Sequence, residues 1–198
     1  DKIPNLPAPE DEPNPFLGLR SIRLALKHRP LFRTQLRAIL RASVAGNIRL
    51  MFPLICTLME LRQAKMILSD VMEELEDEGI EFRRDLPIGI MVEVPSTVLM
   101  APEFAKEADF FSIGTNDLTQ YTLAMDRMHA ALAKNVDGLH PAILRMIDMT
   151  VRAAKGAGKW VGVCGGVAGD PIGAAILTGL GVAELSMSLP SIAAVKAS

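Results

Sequence analysis

The chain is poor in the residues that several common kinds of site require. It has one Trp and one Tyr among 198 residues, which argues against a carbohydrate-binding surface or an aromatic cage for a cationic ligand. Its two cysteines, Cys56 and Cys164, lie far apart, and His28, His129 and His140 show no Cys/His or His/Glu metal spacing. Neither sign of charge prevails: 21 Lys and Arg are interspersed with 23 Asp and Glu for a net charge of -2. That balance removes the basic field nucleic acid would need and leaves partners to be sought at local sites. There is no run of about 18 apolar residues and no signal-peptide pattern, so no membrane insertion and a reducing, cytoplasmic setting are expected. Internal repeats and low-complexity tracts are also lacking.

What is present is a core. Apolar residues make up 49% of the chain, ordinary for a globular domain of this length. Five prolines fall within the first fifteen residues, DKIPNLPAPEDEPNP, so 1–15 reads as an extended connector and 16–198 as the folded domain. In that domain short β-rich runs alternate with longer helical stretches. Six strands are expected, near residues 20–24, 48–54, 88–94, 110–114, 161–164 and 184–187. Helices are expected near 30–44, 59–78, 97–108, 118–125, 142–156 and 171–179. The segment LRQAKMILSDVMEELEDEG places Leu61, Ala64, Ile67, Leu68, Val71 and Leu75 on one face, with Gly79 as its stop. IGIMVEV and FFSIG are apolar almost throughout, as parallel strands buried on both faces are. Alternation of this kind means an α/β fold. A (β/α)8 TIM barrel takes about 250 residues, so six strand–helix units read as an incomplete barrel.

In such a barrel, chemistry gathers at the carboxyl ends of the strands. Glu93 follows IGIMV, Asn116 and Asp117 follow FFSIGT, and Cys164 ends VGV. Glu93 and Asp117 close consecutive strands, which lie about 4.8 Å apart in a sheet, so their carboxylates can converge. Two oxygen ligands suit Mg²⁺, which keeps several waters and completes its shell with substrate oxygens; helix capping is the competing use of either residue. Arginine is suited to planar carboxylates and phosphates, and Arg20, Arg23, Arg49 and Arg127 are the candidates. Arg127 lies in the connection beyond Asp117, where it can swing over a bound anion. Cys164 is followed by Gly165 and Gly166, which let the backbone approach a ligand; a buried, inert thiol is the other reading. Cys56 has no comparable setting and reads as structural. The three histidines read as non-catalytic, with His140 before Pro141 at a helix start.

These residues lie in strings that resemble enzyme I of the bacterial phosphoenolpyruvate:sugar phosphotransferase system: NPFLGLRSIRLAL, QLRAILRASVAGNIRLMFPLI, IGIMVEVP, ADFFSIGTNDLTQYTLAMDR, LHPAILRMI, GKWVGVCGGVAGDP and ELSMSLPSI. The resemblance implies a (β/α)8 barrel that binds phosphoenolpyruvate with Mg²⁺. It also implies transfer of the phosphoryl group to a histidine on a separate N-terminal domain, which serves a histidine phosphocarrier protein. Glu93 and Asp117 would be metal ligands, Arg20 and Arg127 anion ligands and Asn116 a substrate contact. Cys164 would be the acid that protonates the enolate carbon as pyruvate forms.

The sequence departs from that family at several points. The family's first two barrel strands, with a phosphate-holding arginine, would precede Asp1, so strands three to eight are expected here. Gly166 stands where the family usually has Glu, and Met128 and His129 replace its Gly-Asn pair. The chain alone is therefore expected to bind phosphoenolpyruvate without transferring phosphate, and a longer form to be a homodimer. Three other readings remain open: a barrel like that of pyruvate phosphate dikinase or phosphoenolpyruvate synthase, a Mg²⁺-dependent 2-oxo acid aldolase, and a non-catalytic sensing or dimerisation module.

Overall fold

The computed structural model describes residues 13–198, and the chain divides into two compact units, one of residues up to 48 with 59–86 and the other of 49–58 with 87–198. The connector expected over 1–15 lies outside the described residues except for its end, where Pro15 opens a short 3₁₀ turn, Pro15–Leu17.

The first unit is helical. The segment expected to be the first strand, 20–24, is instead part of α1, Ser21–Lys27, with Arg20 as its extended N-cap. The alternating pattern of LGLRSIRL suggests a strand, but Leu24, Ala25, Leu26 and Lys27 are good helix formers, and Ile22 is the one buried residue of the segment. Arg23 Nη1 donates to the Leu17 and Gly18 carbonyls at 3.1 and 3.3 Å, which folds the chain back on itself. After His28 comes α2, Arg29–Ala42, which buries Phe32, Leu36 and Leu40 at four-residue spacing. The helix α3, Leu58–Asp77, buries the six residues its pattern marked, Leu61, Ala64, Ile67, Leu68, Val71 and Leu75. Gly79 then ends it at φ 67°. On the polar side Arg33 reaches Asp70 and Glu74 at 3.4 and 2.5 Å, and Arg37 pairs with Glu78. These exposed pairs set register more than stability, since each is worth about 0–1 kcal/mol.

The second unit contains one parallel sheet of five strands in chain order: β1 Leu50–Phe52, β2 Ile88–Val92, β3 Phe110–Gly114, β4 Trp160–Cys164 and β5 Glu184–Ser186. Five strands, where six were expected, follow from the helical state of 20–24. Register sorts the side chains onto two faces. One carries Leu50, Phe52, Ile90, Val92, Phe111, Ile113, Val161 and Val163, all at most 6% exposed. The other is arranged in rows across the sheet: Met51, Gly89, Phe110 and Trp160; then Met91, Ser112, Gly162 and Glu184; then Gly114, Cys164 and Ser186. Phe110 and Trp160 stack at 4.7 Å, Arg49 lies 4.8 Å over the Trp160 ring, and its Nη1 is 3.5 Å from Glu184. An aromatic and ionic layer thus closes the amino-terminal end of this face.

The connections carry the remaining helices. The helix expected over 97–108 is two short ones, α4 Pro95–Leu99 and α5 Ala101–Phe104, because Pro102 has no N–H to continue the first. Then come α6 Thr115–Leu123, α7 Pro141–Gly156, α8 Pro171–Leu180 and α9 Leu189–Ala197. His140 caps α7, its Nδ1 accepting the Ala142 N–H at 3.1 Å, and Asp170 caps α8, accepting from Gly173 at 2.7 Å. No helix among the described residues is long and apolar enough to cross a membrane.

Candidate functional site

β3 runs into α6 without a loop, so Asn116 and Asp117 fall in the first turn of a helix that starts at the strand end. A carboxylate there is favoured by the helix dipole. Glu93 follows β2 by one residue. It is only 5% exposed, and its Oε1 accepts the Leu54 N–H at 2.7 Å, which holds the turn after β1, where Leu54 takes φ 50°. Gly114 makes room for it: a Cβ there would lie 2.7 Å from Glu93 Oε2 and 3.1 Å from Met91 Sδ. Glu93 and the Gly114–Asp117 segment therefore share the carboxyl end of one sheet face.

Cys164 is in ladder register with Gly114. Its thiol lies 3.6 Å from the Ile113 carbonyl, to which it donates, and accepts the Ser112 hydroxyl at 3.8 Å. Burial pushes the thiol pKa up. The Ser112 hydrogen bond pulls the other way, and the charges of Glu93 and Asp117 push it higher. The thiol is thus kept protonated at neutral pH, and it feels both carboxylates.

Arg127 stands in the connection after α6, as expected, and its backbone N–H is anchored to Gln120 Oε1 at 3.1 Å. Its Nη1 is 3.2 Å from Asp117 Oδ1, close enough to pair but not aligned for a hydrogen bond. Asn116 is exposed, and its Oδ1 accepts the Gly166 N–H at 3.2 Å. A cavity of about 430 Å³ opens beside Asn116 and Arg127, with Val136, Leu139 and Val167 among its walls. The second unit therefore brings together Glu93, Asn116, Asp117, Arg127 and Cys164. Arg20 belongs to the first unit, where its guanidinium lies 5.2 Å over the Phe16 ring.

A family model described as "PEP-utilising enzyme, PEP-binding domain" matches residues 1–198. The chain belongs to that family. Among curated relatives, the multiphosphoryl transfer protein of Rhodobacter capsulatus is 60% identical over 196 residues, 99% of this chain and 23% of the relative. The phosphoenolpyruvate-protein phosphotransferases of Priestia megaterium and Bacillus subtilis are 54% and 52% identical over 191 residues, 96% of this chain and 33% of each relative. The chain thus spans about a quarter to a third of the relatives it matches. A citrate lyase from Burkholderia xenovorans superposes with TM-score 0.62 at 21% identity, over 83% of this chain and 52% of that one. Malate synthase of Haloferax volcanii gives 0.61 at 16%, over 83% and 48%. These likenesses show the fold alone and agree with a partial (β/α) barrel.

Two features of the site escaped the pattern of residue types. Glu93 is a hydrogen-bond partner of the β1 turn as well as a strand-end carboxylate, and no residue type in that turn signals that. Thr115 donates its hydroxyl to the Cys164 carbonyl at 3.1 Å. The paired glycines after Cys164 are the one trace of that close approach in the sequence.

Proposed function

We propose that this domain is the phosphoenolpyruvate-binding part of a phosphoenolpyruvate-protein phosphotransferase, which passes phosphate to a histidine on another domain. The observation that carries the proposal is the placement of a half-buried thiol at the same strand-end rim as two carboxylates, an asparagine and an arginine, in a member of a PEP-binding family.

The residues present fit a Mg²⁺ ion. Among the described residues no group of three or more His, Cys, Asp or Glu gathers into a metal cluster, but Glu93 and Asp117 offer hard oxygen donors. Two such ligands suit an ion that keeps waters and takes the rest of its shell from a substrate. Mg²⁺ held there would neutralise charge on phosphate and enolate oxygens. Arg127 and Asn116 bind and orient the anion, and Arg20 joins them on the resemblance to enzyme I alone. As the P–O bond breaks toward the acceptor nitrogen, its electron pair stays with the enolate oxygen. Cys164 then gives its proton to the enolate carbon, pyruvate forms, and the thiolate recovers a proton from solvent. A thiol raised by burial is suited to this task because it is protonated before the step. A cytoplasmic setting and a homodimeric longer form belong to the same reading.

The test is alkylation of Cys164 by iodoacetamide, read by mass spectrometry, with Cys56 as internal reference. Mg²⁺ and phosphoenolpyruvate together should protect Cys164, while either alone should protect little. Equal labelling under all conditions would overturn the proposal.

A further inference from the structure

We propose that Thr115 is a positioning residue for Cys164, holding the main chain that carries the thiol through a hydrogen bond for which Gly165 makes room. The inference rests on the reading of Cys164 as a proton donor.

The ladder between β3 and β4 ends at the pair Gly114 and Cys164. One residue further on, the Thr115 hydroxyl crosses to the Cys164 carbonyl at 3.1 Å. Thr115 is 1% exposed, so the donor side of this part-buried bond is held away from solvent. It extends the register of the two strands one residue past their regular ends. Gly165 makes the crossing possible. Its φ is 114°, and a Cβ on it would collide with Thr115 Oγ1 and lie 3.1 Å from Asn116 Oδ1. The next residue adds a second tie, the Gly166 N–H to Asn116 Oδ1 at 3.2 Å. Two cross-strand bonds thus couple the segment that bears the proton donor to the segment that bears Asn116 and Asp117. Proton transfer to carbon needs its partners in near-attack geometry, and small displacements there are costly. A hydroxyl at the first position of a helix is otherwise free to serve its own helix. Here it serves the neighbouring strand, which is why we assign it to positioning.

The experiment compares Thr115→Val, Thr115→Ser and Gly165→Ala with the wild-type chain, measuring iodoacetamide labelling of Cys164 and Cys56 in the same sample. Circular dichroism confirms folding. Thr115→Val keeps the shape but loses the donor, and should raise Cys164 labelling about fivefold, the factor one lost hydrogen bond of ordinary strength represents, with Cys56 unchanged. Thr115→Ser keeps the donor and should restore the wild-type rate. Gly165→Ala keeps Thr115 but crowds its hydroxyl, and should repeat the Cys164-selective change. A parallel rise at both cysteines, which general loosening would cause, overturns the inference, as does no change at Cys164. Because this readout needs no ligand, it stands apart from the protection experiment. Protection lost in the wild type would sink the functional reading alone, whereas selective labelling that fails to appear would sink the positioning role alone.

Discussion

Glu93→Gln separates the two tasks that meet on one buried side chain. Its Oε1 accepts the Leu54 N–H at 2.7 Å, and Leu54, 2% exposed, sits at φ 50°. That conformation costs a residue with a Cβ roughly 1–2 kcal/mol, so the bond holds a strained turn. A glutamine oxygen accepts the same N–H, but exchanging a charged acceptor for a neutral one weakens the bond by about 1 kcal/mol. Removing a buried charge acts in the opposite direction, because desolvating a carboxylate is itself unfavourable. The two effects oppose each other, and the variant should stay within about 1 kcal/mol of wild type, a shift of roughly 2–4 °C in Tm. Protection of Cys164 by Mg²⁺ and phosphoenolpyruvate should nevertheless weaken markedly, since a neutral amide oxygen binds Mg²⁺ less strongly than a carboxylate. Glu93→Ala should lose protection and also about 2–4 kcal/mol, from the orphaned N–H and the cavity left behind. Urea unfolding followed by Trp160 fluorescence gives the stability, and labelling gives the binding. If Glu93→Gln lost more than about 2 kcal/mol yet kept full protection, Glu93 would be a turn clamp and the metal assignment would be wrong.

Three further outcomes are open to direct measurement. Gly89→Ala should cost about 1–3 kcal/mol, because its Cβ would meet the Phe110 ring at 2.5 Å, and the fluorescence of Trp160 stacked on that ring should change with it. The pH profile of Cys164 alkylation should lie above that of an ordinary thiol, and Ser112→Ala should move it higher still, since the Ser112 bond lowers the thiol pKa. The linked stability has a definite sign: a raised folded-state pKa contributes fully below the unfolded thiol pKa and is lost as pH rises through the folded value. Gly166→Glu should be tolerated within about 0.5 kcal/mol in a urea titration, since a Cβ there would meet only Asn116 Oδ1 at 3.7 Å.

Much of this fold was legible in the sequence because parallel strands buried on both faces leave a distinctive mark. The apolar runs at β2, β3 and β4 and the stripe on α3 lie where their patterns put them, and Glu93, Asn116, Asp117 and Cys164 lie at the strand ends those runs imply. The misreading at 20–24 arose because alternation over five residues does not distinguish a strand from one turn of an amphipathic helix. The break at Met100 was foreshadowed by Pro102. The pairing of Arg127 with Asp117 was not visible, because sequence spacing says nothing about which of several anions an arginine meets. The tie from Thr115 to Cys164 was hidden for a related reason: its partner is a backbone carbonyl 49 residues away, and a carbonyl has no residue type.

Alternation along β4 sets Trp160, Gly162 and Cys164 in a line on one face, and the middle step is bare. A Cβ at Gly162 would lie 3.4 Å from both Trp160 and the Glu184 Cβ, so a larger side chain there would press on the anchor below. With glycine in place, the foot of the strand is insulated from its head. Wear at one end need not reach the other: replacements around Trp160 and Arg49 should be felt as changes in melting, and replacements around Cys164 as changes in reactivity. Five residues of one strand thus keep the reactive thiol and the stacked anchor apart.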